Sequence, residues 1–280
     1  MCGPTDRPTA RSPRGTPAPP VRHDGGVTTT PQPRWIDLDG TVNARTVVEG
    51  ALLRSDNLQA LSAADVRRLV DEHALRVVVD LRTDVEVALE GPGPLVGSDA
   101  VRIDHRSLYP DSGGNTDLDA DTVRPWGEPI DGAYADESPV VRAYMSYLRR
   151  RPDSIVESVR TIARTDGAVL VHCAAGKDRT GVVVALALSA AGVDDETIVA
   201  DYLASAERIE AIMARLVGSE TYRAELEGHD PQVHAPRVGT MDRVLELVDE
   251  HHGGAASWLR EHGLDDADLE RLRARLAAGA

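Results

Sequence analysis

The sequence predicts an α/β fold, with a central sheet flanked by helices and a helical C-terminal half. Short apolar runs at 75–81 and 168–171 have the length and composition of buried strands. Apolar residues at helical spacing lie between these runs, and helical patterns alone occupy the chain after residue 180. Strand and helix patterns that alternate in this way are typical of a sheet packed against helices.

The chain is predicted to divide into a tail and one domain. Residues 1–33 combine many prolines with small polar residues and have almost nothing to bury, so we expect a disordered tail. From 34 to 280 the pattern is globular, with no second linker and no internal repeat. The 280-residue chain is 41% hydrophobic, which is enough for one core, and we expect a single domain over 34–280.

The first half of this domain is predicted to contain a helix, two strands and a loop. Ser62 is a good N-cap residue, and apolar residues at helical spacing follow it. Strands are predicted at 75–81 and 100–104. The stretch 106–137 is rich in Asp, Gly and Pro and lacks periodicity, which predicts a long loop of the kind that often carries function.

The second half is predicted to be mainly helical. Ser138 and Pro139 supply an N-cap and a first-turn proline, and Gly192 is a typical residue to end a helix. The predicted helices run from Ser138 to about Arg150, from an Asp153 cap to about Arg164, from Thr180 to Ala191, through a long region capped by Asp194, and over 240–252 and 265–276.

Charge and cysteine content exclude several kinds of partner. The formal net charge of −15 would repel nucleic acid and anionic membranes, so an anionic substrate must be captured locally. With only two cysteines, Cys2 and Cys173, the chain has no disulfide framework and no four-cysteine metal site. No apolar run approaches the roughly 20 residues that span a bilayer. We expect a cytoplasmic protein without stable membrane insertion, although export without a cleaved signal would leave no trace here.

One segment, His172-Cys-Ala-Ala-Gly-Lys-Asp-Arg-Thr-Gly181, carries the chemistry. It leaves a predicted strand and enters a predicted helix, where successive backbone N–H groups and the positive helix end converge on an anion. Gly176 lets the loop curl closely around such a ligand. Arg179 can hold two phosphate oxygens in its planar guanidinium.

The same positive environment would activate Cys173 as a nucleophile. It favours the thiolate and lowers the pKa from about 8.5 toward the ~3.5–7.5 range of reactive cysteines. Thr180 can cap the helix and hydrogen-bond the cysteine sulfur, and His172 would orient the loop. Lys177, the single lysine among 31 basic residues, is expected to face the phosphate.

This segment resembles the signature loop of the cysteine-based protein tyrosine phosphatase superfamily, and it is most similar to the bacterial PtpB-like branch. Leu53-Arg-Ser-Asp56, Val79-Asp-Leu-Arg82 with Glu86, and the C-terminal tail resemble further landmarks of that branch, so the likeness covers roughly 34–280. The resemblance implies a tyrosine-phosphatase-like central sheet. Residues 43–50 depart from the branch's Asn-Phe-Arg-Asp-x-Gly-Gly segment, which leaves the role of that segment in substrate contact open.

The resemblance implies roles for individual residues. Cys173 would be the nucleophile and Arg179 the phosphate clamp, with Asp178 as general acid. Mobile-loop alternatives for the acid are Asp111, Asp117, Asp119, Asp121 and Asp131. The remaining substrate-binding candidates are Ala174, Ala175, Gly176, Lys177, Thr180, Arg82 and Asp80. For Arg82 and Asp80, a simple ion pair at the end of a strand is an equal alternative.

Three functions fit these residues. The first is a protein tyrosine phosphatase that forms a phosphocysteine, needs no metal or organic cofactor, and also acts on phosphoserine or phosphothreonine. The second keeps the site but takes a phosphoinositide or inositol phosphate, and the third is a phosphopeptide-binding module without turnover.

For the helical region 194–227, the resemblance implies a lid over the site, and its apolar stripe equally fits permanent core packing.

Overall fold

Six strands form the central sheet in the computed structural model, which describes residues 33–109 and 134–277. In chain order they are β1 (Arg34–Trp35), β2 (Arg45–Val48), β3 (Leu52–Ser55), β4 (Leu75–Asp80), β5 (Arg102–His105) and β6 (Ala168–His172). The spatial order is β1-β2-β3-β6-β4-β5. The first three strands pair antiparallel, whereas β3, β6, β4 and β5 run parallel.

Helices surround this sheet and form most of the chain after β5. They are α1 (Ala63–Arg67, continued by a π turn over Arg68–Glu72), α2 (Asp84–Glu90), α3 (Pro139–Arg150), α4 (Pro152–Arg164), α5 (Asp178–Ala191), α6 (Asp195–Ala204), α7 (Ile209–Gly218), α8 (Arg223–Leu226), α9 (Thr240–His252), α10 (Ala255–Glu261) and α11 (Asp266–Leu276). The α/β class and the helical C-terminal half are therefore confirmed.

Alternate strand residues build two cores, one on each face of the sheet. Val169 and Val171 of β6 pack on one face, in the larger core that includes α3, α4 and α5. Ala168 and Leu170 point to the other face, where a smaller core includes Leu69 of the π turn. Because β6 is buried on both faces, its sequence is a continuous apolar run.

Several predicted element boundaries are confirmed. Ser62 caps α1 in a capping box, Ser138 caps α3, Asp194 caps α6, and Gly192 ends α5 in the left-handed conformation. The strands at 75–81 and 100–104 are observed within two residues of their predicted bounds. Of the predicted tail, residues 1–32 lie outside the described part of the chain, as does 110–133 of the predicted loop.

Other predictions are corrected by the structure. Asp153 lies inside the first turn of α4 and does not cap it, because Pro152 already opens that helix. Helix α5 begins two residues before Thr180. The region after Asp194 is broken by a 3-10 turn at Ser205–Arg208, and the strands β1 to β3 and the helix α2 were not predicted. Within 33–109 and 134–277, none of the helices combines the length and apolar character that crossing a bilayer requires.

Candidate active site

The ends of three parallel strands bring the site together. His172 of β6 lies in register with Ser55 of β3 on one side and with Asp80 of β4 on the other. The loop that starts at Cys173 therefore leaves the middle of the sheet at its carboxyl edge. Open α/β sheets bind ligands at this edge, and α5 begins directly after the loop at Asp178.

Gly176 lets the loop pack against the end of β3. Its φ of +66° is one that L side chains rarely adopt, and a Cβ atom there would lie 2.2 Å from the Ser55 carbonyl oxygen. Asn57 N donates to Ala174 O at 3.0 Å, and Leu81 N donates to His172 O at 2.9 Å. The loop is thus fixed to both neighbouring strands.

Buried polar side chains hold the carbonyl groups of the loop. Asn43 Nδ2 donates to Ala175 O at 2.9 Å and to Ser205 Oγ at 3.2 Å. Arg54 Nη2 donates to Gly176 O at 2.7 Å. Arg54 and Arg45 both pair with Asp201 of α6. We call Asn43, Arg45, Arg54, Asp201 and Ser205 the carbonyl clamp.

The carbonyl clamp determines where the loop amides point. In a trans peptide the C=O and the following N–H point in opposite directions. Asn57 binds the carbonyl of Ala174, Asn43 that of Ala175, and Arg54 that of Gly176. The N–H group that follows each of these carbonyls therefore points to the opposite side of the loop. Converging N–H groups at the start of a helix form an anion-binding cradle.

Arg179 is held by a buried carboxylate. Its Nη1 and Nη2 donate to Glu86 Oε2 and Oε1 at 2.7 and 2.9 Å, and Nη1 also donates to Leu81 O at 3.2 Å. Tyr222 hydrogen-bonds the same carboxylate, and the Tyr109 ring lies 5.6 Å from the guanidinium carbon. Burial acts to raise the pKa of Glu86, but the Arg179 charge and these hydrogen bonds outweigh it and lower that pKa. The guanidinium therefore has a fixed orientation beside the loop.

Asp80 and Arg82, both predicted to bind substrate, form a buried ion pair at the end of β4. Arg82 Nη2 donates to Asp80 Oδ2 at 2.6 Å, and His172 Nε2 lies 3.5 Å from Asp80 Oδ1. Burial acts to raise the pKa of Asp80, but the nearby His172 and Arg82 outweigh it and lower that pKa. Burial lowers the pKa of His172 to about 4, which leaves the ring neutral at neutral pH. Its Nδ1 lies 3.2 Å from Cys173 O, next to the loop that it was predicted to orient.

A cavity of about 660 Å³ opens in front of the loop. Ala174, Ala175, Lys177 and Asp178 line it from the loop side. Cys173 lies next to this lining and has 1% of its surface exposed. Asp80 and Arg82 lie under the loop and are not among the described lining residues. The structure therefore places the nucleophile candidate and the acid candidate at the same site.

Lys177 and Asp178 are adjacent lining residues of this cavity. Lys177 Nζ donates to the His234 carbonyl and lies 3.5 Å from Asp178 Oδ2. The Tyr144 hydroxyl donates to Asp178 Oδ1 at 2.5 Å. The five alternative acids lie outside the described residues; they are Asp111, Asp117, Asp119, Asp121 and Asp131.

Thr180 does not cap the helix, contrary to prediction. It lies within the first turn of α5, where its side chain is fully buried. Its Oγ1 has no hydrogen-bond partner among the described residues. A buried hydroxyl without a partner costs free energy. The predicted hydrogen bond from Thr180 to the cysteine sulfur stays a prediction.

Helix α7 covers the loop with apolar side chains. Its buried face forms a cluster with Ala174 of the loop, made up of Ile209, Ile212, Met213 and Leu216. Val199 and Leu203 of the predicted stripe pack instead against the larger core. Arg215 Nε lies 2.9 Å from Asp56 Oδ2, which ties α7 to the end of β3. Helix α7 therefore covers the loop, as a lid would. That it opens to admit substrate stays a prediction.

Sequence reasoning missed the carbonyl clamp. Asn43 and Arg45 lie in the segment that departs from the expected pattern, and the structure places them on the loop carbonyls and on Asp201. Only Glu86 and Arg54 had been noticed, as parts of family landmarks. No local pattern could have joined Asn43 to Ser205, which lie 162 positions apart.

The site combines a cysteine and an arginine six positions apart with an amide cradle between a parallel strand and a helix. This combination defines a cysteine-dependent phosphatase. A family model described as "Tyrosine phosphatase family" matches residues 37–278. The chain belongs to this family, as its loop had indicated.

Known phosphatases are similar to this chain in sequence. The triple specificity protein phosphatase PtpB of Mycobacterium tuberculosis is 30% identical, over 85% of this chain and 97% of its own. A putative tyrosine-protein phosphatase of Cupriavidus necator is also 30% identical, over 92% of this chain and 90% of its own. The crystal structure of P. aeruginosa TpbA is similar at 17% identity with a TM-score of 0.30, over 72% of this chain and 94% of that one.

Proposed function

We propose that this protein tyrosine phosphatase uses Cys173 as nucleophile, Arg179 as phosphate clamp and Asp178 as general acid and base. The observation that carries the proposal is the loop itself. Its carbonyls are bound on one side by the carbonyl clamp, so its amides converge on the other, and Arg179 is oriented beside it by Glu86. Cys173 begins this loop and Asp178 ends it.

The reaction follows in two steps. In the first, Cys173 Sγ attacks phosphorus, the P–O bond to the leaving group breaks, and Asp178 gives its proton to the departing oxygen. In the second, Asp178 takes a proton from water, whose oxygen attacks phosphorus while the S–P bond breaks and the thiolate leaves. The loop amides and Arg179 stabilise the equatorial oxygens in both steps.

The proposed substrates are phosphorylated proteins in the cytoplasm, with phosphotyrosine first and phosphoserine and phosphothreonine in addition. The M. tuberculosis relative is named a triple specificity protein phosphatase, which supports a range wider than phosphotyrosine. The names of the relatives refer to protein and tyrosine-protein phosphatases, so the phosphoinositide alternative is not favoured. Trapping a phosphocysteine on Cys173 by rapid quench would exclude a binding module without turnover.

Two substitutions test the roles of the loop. We expect Cys173→Ser to abolish turnover but to retain binding of an oxyanion such as vanadate, because the cradle is intact. Cys2→Ser, the matched control on the other cysteine, should keep wild-type turnover. We expect Arg179→Lys to lose at least about a hundredfold in kcat/KM, because an ammonium cannot replace the planar guanidinium. Turnover of Cys173→Ser within about tenfold of wild type would refute the mechanism.

A further inference from the structure

Tyr144 makes a contact with the acid candidate that the mechanism above does not use. This residue of α3 is buried, and its hydroxyl donates to Asp178 Oδ1 at 2.5 Å. We propose that Tyr144 is a positioning residue that binds Oδ1 of Asp178 and thereby makes Oδ2 the oxygen that delivers the proton. The inference rests on the proposed function, since it gives Asp178 the role of acid.

Tyr144 acts as a donor toward Asp178. Burial raises its pKa well above the ordinary value, and the charge of Asp178 adds to this effect, so the phenol stays protonated. Its single hydrogen goes to the carboxylate. The Tyr202 hydroxyl, 3.0 Å away, must then donate to the Tyr144 oxygen. Tyr202, Tyr144 and Asp178 form a directed chain in which each hydrogen bond polarises the next.

This chain distinguishes the two carboxyl oxygens. An oxygen that accepts a short hydrogen bond loses basicity, so the proton of the neutral acid resides on the other oxygen. Here that oxygen is Oδ2, which lies 3.5 Å from Lys177 Nζ. Both Lys177 and Asp178 line the cavity in which the leaving group would lie.

Four side chains face Asp178 from the elements packed around it. Tyr144 faces it from α3, Tyr202 from α6, Lys177 from the loop, and His234 from the turn at Pro231–His234. Burial and the charge of Lys177 lower the pKa of His234, so that ring is neutral at neutral pH. Of the two tyrosines, Tyr144 is the one with a hydrogen bond to the carboxylate.

The test compares two substrates with different leaving groups. The tyrosine of a phosphotyrosine peptide is a poor leaving group that needs the acid, whereas p-nitrophenyl phosphate needs it far less. We expect Tyr144→Phe to lose about tenfold in kcat/KM on the peptide and less than about threefold on p-nitrophenyl phosphate.

Tyr147→Phe is the matched control. Tyr147 is also a buried tyrosine of α3, and its hydroxyl lies 3.0 Å from that of Tyr109. This variant should keep the wild-type ratio between the two substrates. In an Asp178→Asn background, adding Tyr144→Phe should change that ratio by less than about twofold, because the group through which Tyr144 acts is already inactive.

Three results would overturn the inference. An equal loss on both substrates, or the same further loss in the Asp178→Asn background, would show that Tyr144 only supports the structure. If Asp178→Asn itself keeps the wild-type ratio, Asp178 is not the acid and the inference fails with it. Loss of turnover in Cys173→Ser would still support the nucleophile. If Tyr144→Phe does not fold, Tyr202→Phe breaks the same chain one bond further out and should shift the ratio in the same direction.

Discussion

At the scale of single residues, burial and neighbouring charges together fix the protonation of the groups beneath the loop. Asp80 is ionised because His172 and Arg82 lower its pKa against the effect of burial. His172 is neutral because burial lowers its pKa from 6.5 to about 4. Because burial keeps this ring neutral, the fold is sensitive to acid.

We therefore predict that His172 contributes to acid destabilisation. Between pH 6.5 and about 4 the unfolded chain binds a proton at this ring and the folded chain does not, so stability falls as the pH falls. From about pH 7 to about pH 5 the contribution reaches about 2 kcal/mol. Urea unfolding at the two pH values measures it, and His172→Gln should show a smaller fall than wild type. His73→Gln, at a partly exposed histidine, is the control, and an equal fall in all three proteins would contradict the prediction.

How far single residues could be predicted depends on where their partners lie. Cys173, Asp178 and Arg179 were predicted together because they lie within seven consecutive residues of the sequence. Arg54 contacts Gly176 across 122 positions, and Asn43 contacts Ser205 across 162. Contacts of this kind are set by sheet order and by helix packing, which no local spacing encodes. The hydrogen bond of Tyr144 to Asp178, across 34 positions, was missed for the same reason.

At the scale of elements, the region after Asp194 shows what an apolar stripe can and cannot predict. Its helical periodicity is real, but a 3-10 turn at Ser205–Arg208 redirects the chain. Leu203, before the turn, faces the larger core, whereas Ile212, after it, faces the loop. The stripe predicted burial correctly and could not show against which surface. The strands β1, β2 and β3, of two to four residues, were not predicted.

For α7 we predict that Arg215 keeps the helix closed over the loop. Arg215→Ala removes the ion pair with the buried Asp56 and the hydrogen bond to Asn57 Oδ1, which weakens the attachment of α7 to β3. Peroxide should then inactivate the enzyme at least about threefold faster than wild type, because the thiolate is less well covered.

The control for this experiment is Arg223→Ala, on the neighbouring helix α8. Arg223 is exposed, and its guanidinium donates to the carbonyls of Val217 and Gly218. We expect its inactivation rate to match wild type. If Arg215→Ala is inactivated no faster than Arg223→Ala, α7 is scaffold and the lid prediction is wrong.

At the scale of the whole molecule, an acidic chain has concentrated positive charge around the loop that starts at Cys173. The formal net charge is −15, yet Arg45, Arg54, Arg82 and Arg179 are all fully buried around this loop. These four arginines face three carboxylates, those of Asp201, Asp80 and Glu86. The local excess of positive charge can attract a phosphate that the rest of the surface repels, as composition had led us to expect.

The distribution of lysine also matters at this scale. Lys177 is the single lysine of the chain, and all other basic side chains except histidine are arginines, which amine-reactive reagents do not acylate. Its side chain is 13% exposed and its ammonium donates to the His234 carbonyl. Apart from the α-amino group, the molecule therefore offers one amine for acylation, in the lining of the cavity.

We predict that a succinimidyl ester labels Lys177 alone among the side chains and that vanadate slows the labelling at least about threefold, because an oxyanion in the cradle would hold the ammonium. Peptide mass spectrometry after timed labelling gives both quantities. Labelling at the same rate with and without vanadate would show that Lys177 does not face the phosphate. If the prediction holds, a dye attached through this amine would report occupancy of the catalytic loop without any engineered residue.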